Sequence, residues 1–480
     1  MYAEPSWMRL GFTQPPDERS GKGIGIIIID DISPHPALTH IGQRLRHVVV
    51  ADDLSVTCRV LGRESFDPDG LEDGIHGLMT MLTLTHQPFY DHGFRHIGIA
   101  PSANYVVLSH GAFKEGEGDR LKRGVEWILD NLPEFNVRLV LSLGWHAQDN
   151  PVLIQRTQYN STVRALQPAM DRGILVVCSN GNSNIDTIMP PVDFLAVGGY
   201  NDGGMSDRTK HVAYPGELYG FNGDGDFRPD IRAPRTRVAI PYCEGEPNAA
   251  KRSYYTGTSA SSTLVAGVCL HILARFPWLS ARELRNALAH FGEPLPGDPN
   301  VAPCIHVRRT VEAVTKGDIH GQTRSMIDRG GIVERAIRLS RCIREQQCTR
   351  NDLWKYSCDV EPLIRKIATY SLRRPVDPTE RDEYWRRFHE ESDDGVRTWY
   401  LYGLLQDSSK EELARWVLLA DDPHWSIRWC VSEFLKKFPE LPELEKTHDP
   451  EFVTVQAQPV LEWWTKLQGD GHDGRPTSNL

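Results

Sequence analysis

Between residue 21 and about residue 272 the chain alternates short β-branched apolar runs with stretches whose apolar residues recur every three or four positions. The runs 24–29, 55–61, 105–109, 139–143, 174–178 and 194–197 read as strands; 36–45, 76–84, 118–131, 155–172 and 262–276 read as helices. Ile26-Ile27-Ile28-Ile29 has no polar alternation, the pattern of a strand covered on both faces. Strand–helix alternation implies right-handed βαβ units, an α/β fold with a mostly parallel sheet flanked by helices. In such a sheet, reactive groups gather where strands end and the following helices begin. Asp30, His76, Asn182 and Ser259 all fall at such junctions.

Beyond residue 319 strands vanish and helical patterning rich in Arg, Glu, Leu and Trp takes over. The expected organisation is a short N-terminal segment (1–20), an α/β domain (21–318), an all-α C-terminal domain (319–468) and a polar flexible tail (469–480). Inside the all-α domain, a pair of segments repeats at a separation of about 31 residues. Asp394-Gly395-Val396-Arg397 with Tyr400 and Leu404 corresponds to Ser426-Ile427-Arg428 with Val431 and Leu435. A HEAT-like stack of helical pairs with a face for a protein partner and an irregular helical bundle both fit two copies.

A length of 480 residues exceeds what one compact core serves, and 40% hydrophobic with 25% charged residues is a globular composition. The net charge of −10 gives no overall attraction to nucleic acid, and no apolar run is long enough to span a bilayer. Nine scattered cysteines without metal-like spacing, and an N-terminus without an export signal, lead us to expect reduced thiols and a cytoplasmic location.

The chemistry concentrates in Gly257-Thr258-Ser259-Ala260-Ser261-Ser262, a small-residue turn running into an apolar helix. A serine there sits among backbone N–H groups that lack intrahelical partners and can hold an oxyanion. Alone this is an ordinary helix cap. Upstream, however, Asp30 ends a strand and His76 lies in Asp73-Gly74-Ile75-His76-Gly77, giving the order Asp, His, Ser known from one class of serine peptidases. A dinucleotide-binding role for Asp30 fails because Gly21-Lys22-Gly23-Ile24-Gly25 precedes the strand, and a nucleotide sensor fails for want of a phosphate-binding loop.

At this point the chain resembles the subtilisin-like serine peptidases, the subtilases, over residues 21–290. The resemblance is carried by Ile29-Asp30 with the later His35-Pro36-Ala37-Leu38, by the His76 block, by Gly98-Ile99-Ala100-Pro101-Ser102-Ala103, by Leu141-Ser142-Leu143-Gly144, by residues 176–182, by Arg228-Pro229-Asp230-Ile231-Arg232-Ala233-Pro234 and by the serine block, all collinear. It implies an endopeptidase with Asp30, His76 and Ser259 as triad, Asn182 assisting the oxyanion hole, Ser142, Leu143 and Gly144 bonding an extended protein or peptide substrate, and no cofactor. Asp186, shortly after the oxyanion block, reads as a solvated loop acid in preference to a pocket floor.

There are departures from the family pattern. Thr263 and Leu264 stand where a proline and a histidine are usual, His76-Gly77 continues as Leu78-Met79, and Asp30 is followed by Asp31-Ile32. Residues 86–91 lack the asparagines and small residues that hold calcium in many relatives, so no metal is expected there. Two readings follow: an active intracellular endopeptidase regulated or targeted by its helical domain, or a subtilisin-like scaffold that binds peptides without cleaving them. Joint retention of Asp30, His76, Asn182 and Ser259 favours the first.

Overall fold

The computed structural model describes residues 2–61, 71–111, 116–143, 152–187, 190–241, 252–298, 301–319, 328, 330–444 and 449–469. The chain forms two compact units. The first holds residues up to Asn182 and from Thr187 to Ile337; the second holds Ser183–Asp186 and everything from Arg338. The division falls inside the helix Ile332–Arg344, later than the expected boundary at 318, and the tail beyond 469 lies outside the described residues.

The first unit is built on one sheet. Its strands are β1 (Gly25–Ile29), β2 (Leu45–Val50), β3 (Val56–Val60), β4 (Asn104–Ser109), β5 (Val137–Ser142), β6 (Leu175–Ser179), β7 (Leu195–Asn201), β8 (Val212–Ala213) and β9 (Ile231–Pro234). Their order is β8-β7-β6-β5-β1-β4-β2-β3, with β9 also on β7. All pairings are parallel except β2 with β3 and β7 with β8, near its edges. β1 is central, with Ile28 beside Val107 of β4 and Leu141 of β5.

Alternate side chains of the strands enter opposite layers. Ile26, Ile28, Leu141 and Val177 pack with α1 (Leu71–Thr85) and α2 (Thr258–Arg275); Ile27, Ile29, Val140 and Val176 pack against the helices Glu117–Asn131 and Ser161–Asp171. With both faces covered, polar residues are excluded from β1. Truncating a fully buried isoleucine such as Ile28 to alanine costs about 2–5 kcal/mol.

The patterning located the layers but missed β2, because the helical spacing of 36–45 runs without a break signal into Val48-Val49-Val50. Residues 36–44 are in fact a 3-10 segment interrupted at Gly42. The N-terminal residues are no appendage. Leu10 is buried in the core, and the Arg9 guanidinium, fully buried, binds both carboxylate oxygens of Asp202 at 2.7 Å. Residues 89–91 form a short strand on Phe94–His96. Among the described residues no helix is long and apolar enough to cross a membrane.

The second unit is helical. Several of its helices start with side-chain caps: Asp377 accepts from the Glu380 N–H, Asp393 from Val396 and His424 from Ser426. Its core stacks Trp416 on Phe434 with ring centroids 4.7 Å apart, beside Trp385, Phe388, Tyr400 and Leu404. Polar clasps tie neighbouring helices. Arg350 and the Trp354 indole N–H both bind Glu380; about 31 residues on, Arg381 and the Trp385 indole N–H both bind Glu412. A second clasp recurs in the same way, Arg365 with Glu391 and then Arg397 with Asp422.

Candidate active site

β1 delivers Asp30 just past its C-terminal end. The Asp30 N–H donates to the Leu108 carbonyl, and the Ser109 hydroxyl donates to the Asp30 carbonyl, so β4 fixes the acid's backbone. The carboxylate folds back, its Oδ1 accepting from the Asp31 N–H. Its Oδ2 lies 2.6 Å from His76 Nδ1. His76 sits in the second turn of α1, a helix that starts earlier than the 76–84 read from the sequence. Gly77 permits the approach: a Cβ there would lie 2.2 Å from the Asp31 carbonyl oxygen.

Burial alone pulls the His76 imidazole down, but the hydrogen bond and charge of Asp30 more than offset this and leave it raised above its ordinary value of 6.5. With Nδ1–H given to Asp30, Nε2 is left as the acceptor. It accepts from the Tyr255 hydroxyl at 3.1 Å. Tyr255 is buried, its ring edge-on to the imidazole, and its hydroxyl also meets Thr80 Oγ1 at 3.0 Å. Burial pushes the Tyr255 phenol up, with Thr80, Ser259 and Thr263 pulling the other way. Sequence reasoning joined Ser259 directly to His76; in the structure the partner of His76 Nε2 is the Tyr255 hydroxyl. The signal was available in Tyr254-Tyr255, since strand alternation sends one of the two rings inward on Arg252–Tyr255, the strand entering the serine turn.

Ser259 is the second residue of α2 and 7% exposed. Gly257 before it has φ +114° and ψ 171°, a conformation L side chains rarely adopt, and a Cβ would also press on Asn182 Oδ1 at 3.1 Å. Downstream, Thr263 Oγ1 donates to the Ser259 carbonyl at 2.8 Å, so the residue standing where a proline is usual ties the first turn instead of stiffening it.

Asn182 follows β6 and is exposed. Its Oδ1 accepts from the Thr258 N–H at 2.8 Å, the Thr258 hydroxyl at 3.1 Å and Arg235 Nη2 at 3.3 Å. Three donors on one oxygen fix which way the amide points, and its nitrogen has no hydrogen bond among the described residues. That nitrogen and the Ser259 N–H, also without a partner among the described residues, are the free donors beside the serine. Arg235, fully buried, directly follows the block 228–234, and nothing in its local sequence pattern marks it as buried.

Of the substrate-binding residues expected, Ser142 and Leu143 stand at the end of β5, buried, with Ser142 in register with Ile29 and Cys178. Gly144 lies outside the described residues. Asp186 is neither a solvated acid nor a pocket floor of the first unit. It belongs to the second unit, its carbonyl accepts from Lys366 Nζ at 3.1 Å, and burial pushes its carboxyl up to about 6 against the pull of Lys366.

Residues 62–301, half of the chain, match the model of the subtilase family. The span includes His76, Asn182 and Ser259 and begins after Asp30. The chain is 31% identical over 251 residues to the subtilisin-like protease PopC of Myxococcus xanthus, covering 48% of this chain and 47% of that protein. It is 27% identical over 293 residues to the serine protease AprX of Bacillus subtilis, covering 56% and 61%. The match thus spans about half the length of these curated relatives. Among solved structures, the self-cleaved protease domain of PatA aligns over 62% of this chain and 98% of its own at 18% identity and a TM-score of 0.42. With an Asp–His pair and a serine turn on a parallel sheet and a family match across half its length, the chain belongs to the subtilase family.

Proposed function

We propose that this protein is a serine endopeptidase that hydrolyses peptide bonds in protein or peptide substrates. The observation that carries the reading is the 2.6 Å contact of Asp30 with His76 Nδ1, which leaves Nε2 basic, on the same face as a serine at the start of a helix. In the attack, the Ser259 oxygen bonds to the substrate carbonyl carbon while its proton passes to Nε2, and Asp30 stabilises the imidazolium that forms. The Asn182 amide nitrogen and the Ser259 N–H donate to the tetrahedral oxyanion. The imidazolium then protonates the leaving amine, and water repeats the sequence on the acyl-enzyme.

Tyr255 occupies Nε2 in the resting site, so productive attack requires the phenol to withdraw and Ser259 to take its place. The expected result is cleavage of casein by the wild type and none by Ser259→Ala. Casein left intact by a wild type that still binds peptides favours the second reading, a non-cleaving peptide-binding scaffold; the occupied Nε2 is the observation behind it.

The finer elements of the proposal are a cytoplasmic location, to which the eight described cysteines, all free thiols, lend support, and control through the helical unit. The chain enters that unit directly after Asn182 for four residues. There Ser183 meets Ser426 at 2.7 Å, His424 Nε2 meets Asn184 Oδ1 at 2.9 Å, and the Trp399 indole N–H donates to the Ile185 carbonyl at 2.8 Å. An oxyanion asparagine peptide-bonded to a segment held in this way is open to regulation by whatever binds the helices, and the recurring Arg–carboxylate clasps favour a helical repeat as their framework. Trp399→Phe should alter turnover; unchanged kinetics would remove the regulatory reading.

A further inference from the structure

Arg235 has no place in the triad chemistry above, yet it is a fully buried cation beside the site. Its guanidinium is completely buried, and its Nε and Nη1 have no hydrogen-bond partner among the described residues. A buried cation with unsatisfied donors is unfavourable unless something nearby needs the charge. The surroundings are shaped to keep it. The Tyr214 ring lies 3.6 Å under the guanidinium, and Gly199 leaves the room its stem requires, since a Cβ there would lie 2.6 Å from Arg235 Cβ. Burial lowers its basicity, with Tyr214 and Glu217 acting the other way.

Among the described residues, the one group the guanidinium hydrogen-bonds is Asn182. Nη2 donates to the Asn182 carbonyl at 2.7 Å and approaches its Oδ1 at 3.3 Å. The Arg235 carbonyl meanwhile accepts from the Gly257 N–H at 2.9 Å, in the turn that carries Thr258 and Ser259. One residue therefore holds both halves of the oxyanion hole, the asparagine through its side chain and the serine turn through its backbone.

We propose that Arg235 is a positioning residue of the oxyanion hole: it locks the Asn182 amide with its nitrogen outward and, as a buried cation on Oδ1, makes that nitrogen a stronger donor to the transition state. A hydrogen bond to the amide oxygen polarises the whole amide, and in a low-dielectric site the effect passes to the N–H on the other side. The proposal rests on the endopeptidase reading, because only a developing oxyanion gives the polarised amide a task. It also accounts for the two orphaned donors, since satisfying them would spread the charge away from Asn182.

The test is a double-mutant cycle on the full-length protein with a fluorogenic peptide that the wild type cleaves. Arg235→Met should lower kcat about 10- to 100-fold with KM within about two-fold, a fraction of the roughly 100- to 1000-fold loss from deleting an oxyanion donor outright. In the Asn182→Ala background the same substitution should lower kcat by less than about three-fold, because its target is gone. Binding of a peptide boronic acid should weaken in parallel with kcat. A residue that merely supports the fold would lower the melting temperature and multiply its loss onto Asn182→Ala, and that result overturns the proposal, as does an unchanged kcat in a folded Arg235→Met. If Arg235→Met does not fold, Arg235→Lys carries the test: charge without the planar fork should give an intermediate kcat loss at an unchanged melting temperature, and full wild-type kcat would contradict the role. A wild type that cleaves nothing sinks the endopeptidase reading itself, a different outcome from any of these.

Discussion

The two halves of the site are prepared differently. On the acid–base side, Asp30 and His76 are joined by a 2.6 Å hydrogen bond, but the base's working nitrogen is occupied by Tyr255. On the oxyanion side no described residue bonds the donors, and Asn182 is fixed by three hydrogen bonds to one oxygen, one of them from a buried cation. One half waits for a movement; the other is already arranged. On the proposed mechanism, electrostatic stabilisation needs no reorganisation at the moment of reaction, whereas proton transfer is the step at which activity can be held back.

Substitutions should separate the halves, the largest effect falling on the first. Asp30→Asn keeps the geometry but frees the imidazole to take the wrong tautomer, and should lower kcat by about 10⁴-fold in steady-state peptide hydrolysis. Asn182→Ala, on the prepared side, should cost roughly 100- to 1000-fold in kcat with little change in thermal stability. A still smaller change, in the opposite direction, comes from Tyr255→Phe. It removes a hydrogen bond worth about 1 kcal/mol from Nε2, so kcat/KM should rise several-fold; a fall would instead make the phenol a proton relay between Ser259 and His76.

The pH profile sharpens the contrast. The His76 pKa is raised in the folded protein, so the Asp30 pair contributes stability below the unfolded value, and this is lost as pH rises through the folded value. Catalysis needs the neutral base and runs the other way. The acid limb of kcat/KM should have its midpoint above 6.5 and should move down in Asp30→Asn. In the helical unit the sign reverses: the Arg350 guanidinium holds Glu380 down at about 2, so this clasp stabilises above the unfolded carboxylate value, and the contribution is lost as pH falls towards 2. Glu380→Gln should flatten the acid side of the helical unfolding transition, the smallest effect of the set.

How far the sequence could be read follows the same division. The sheet was legible because β1 and its neighbours are covered on both faces, so their apolar runs are uninterrupted, and Asp30, His76, Asn182 and Ser259 stood out as polar groups at the strand and helix ends. What escaped was long-range. Tyr255 and Arg235 look ordinary in sequence, and their significance comes from which neighbours the fold brings to them. The four-residue excursion of the chain after Asn182 into the helical unit was equally hidden, since Ser183-Asn184-Ile185-Asp186 reads as an exposed turn. The clasps of the helical unit were half visible: the spacing showed at residues 394–404 and 426–435, but Arg350 with Glu380 and Arg381 with Glu412 join residues 30 and 31 positions apart that no local periodicity connects.

The central claim is that Ser259 becomes a nucleophile through His76. Its most direct measurement is labelling of the full-length protein with a fluorophosphonate, with the modified residue located by peptide mass spectrometry in wild type and in His76→Ala. The expected result is one label per chain on Ser259, lost when His76 is replaced; a label on another residue, or on Ser259 at an undiminished rate without His76, would contradict it.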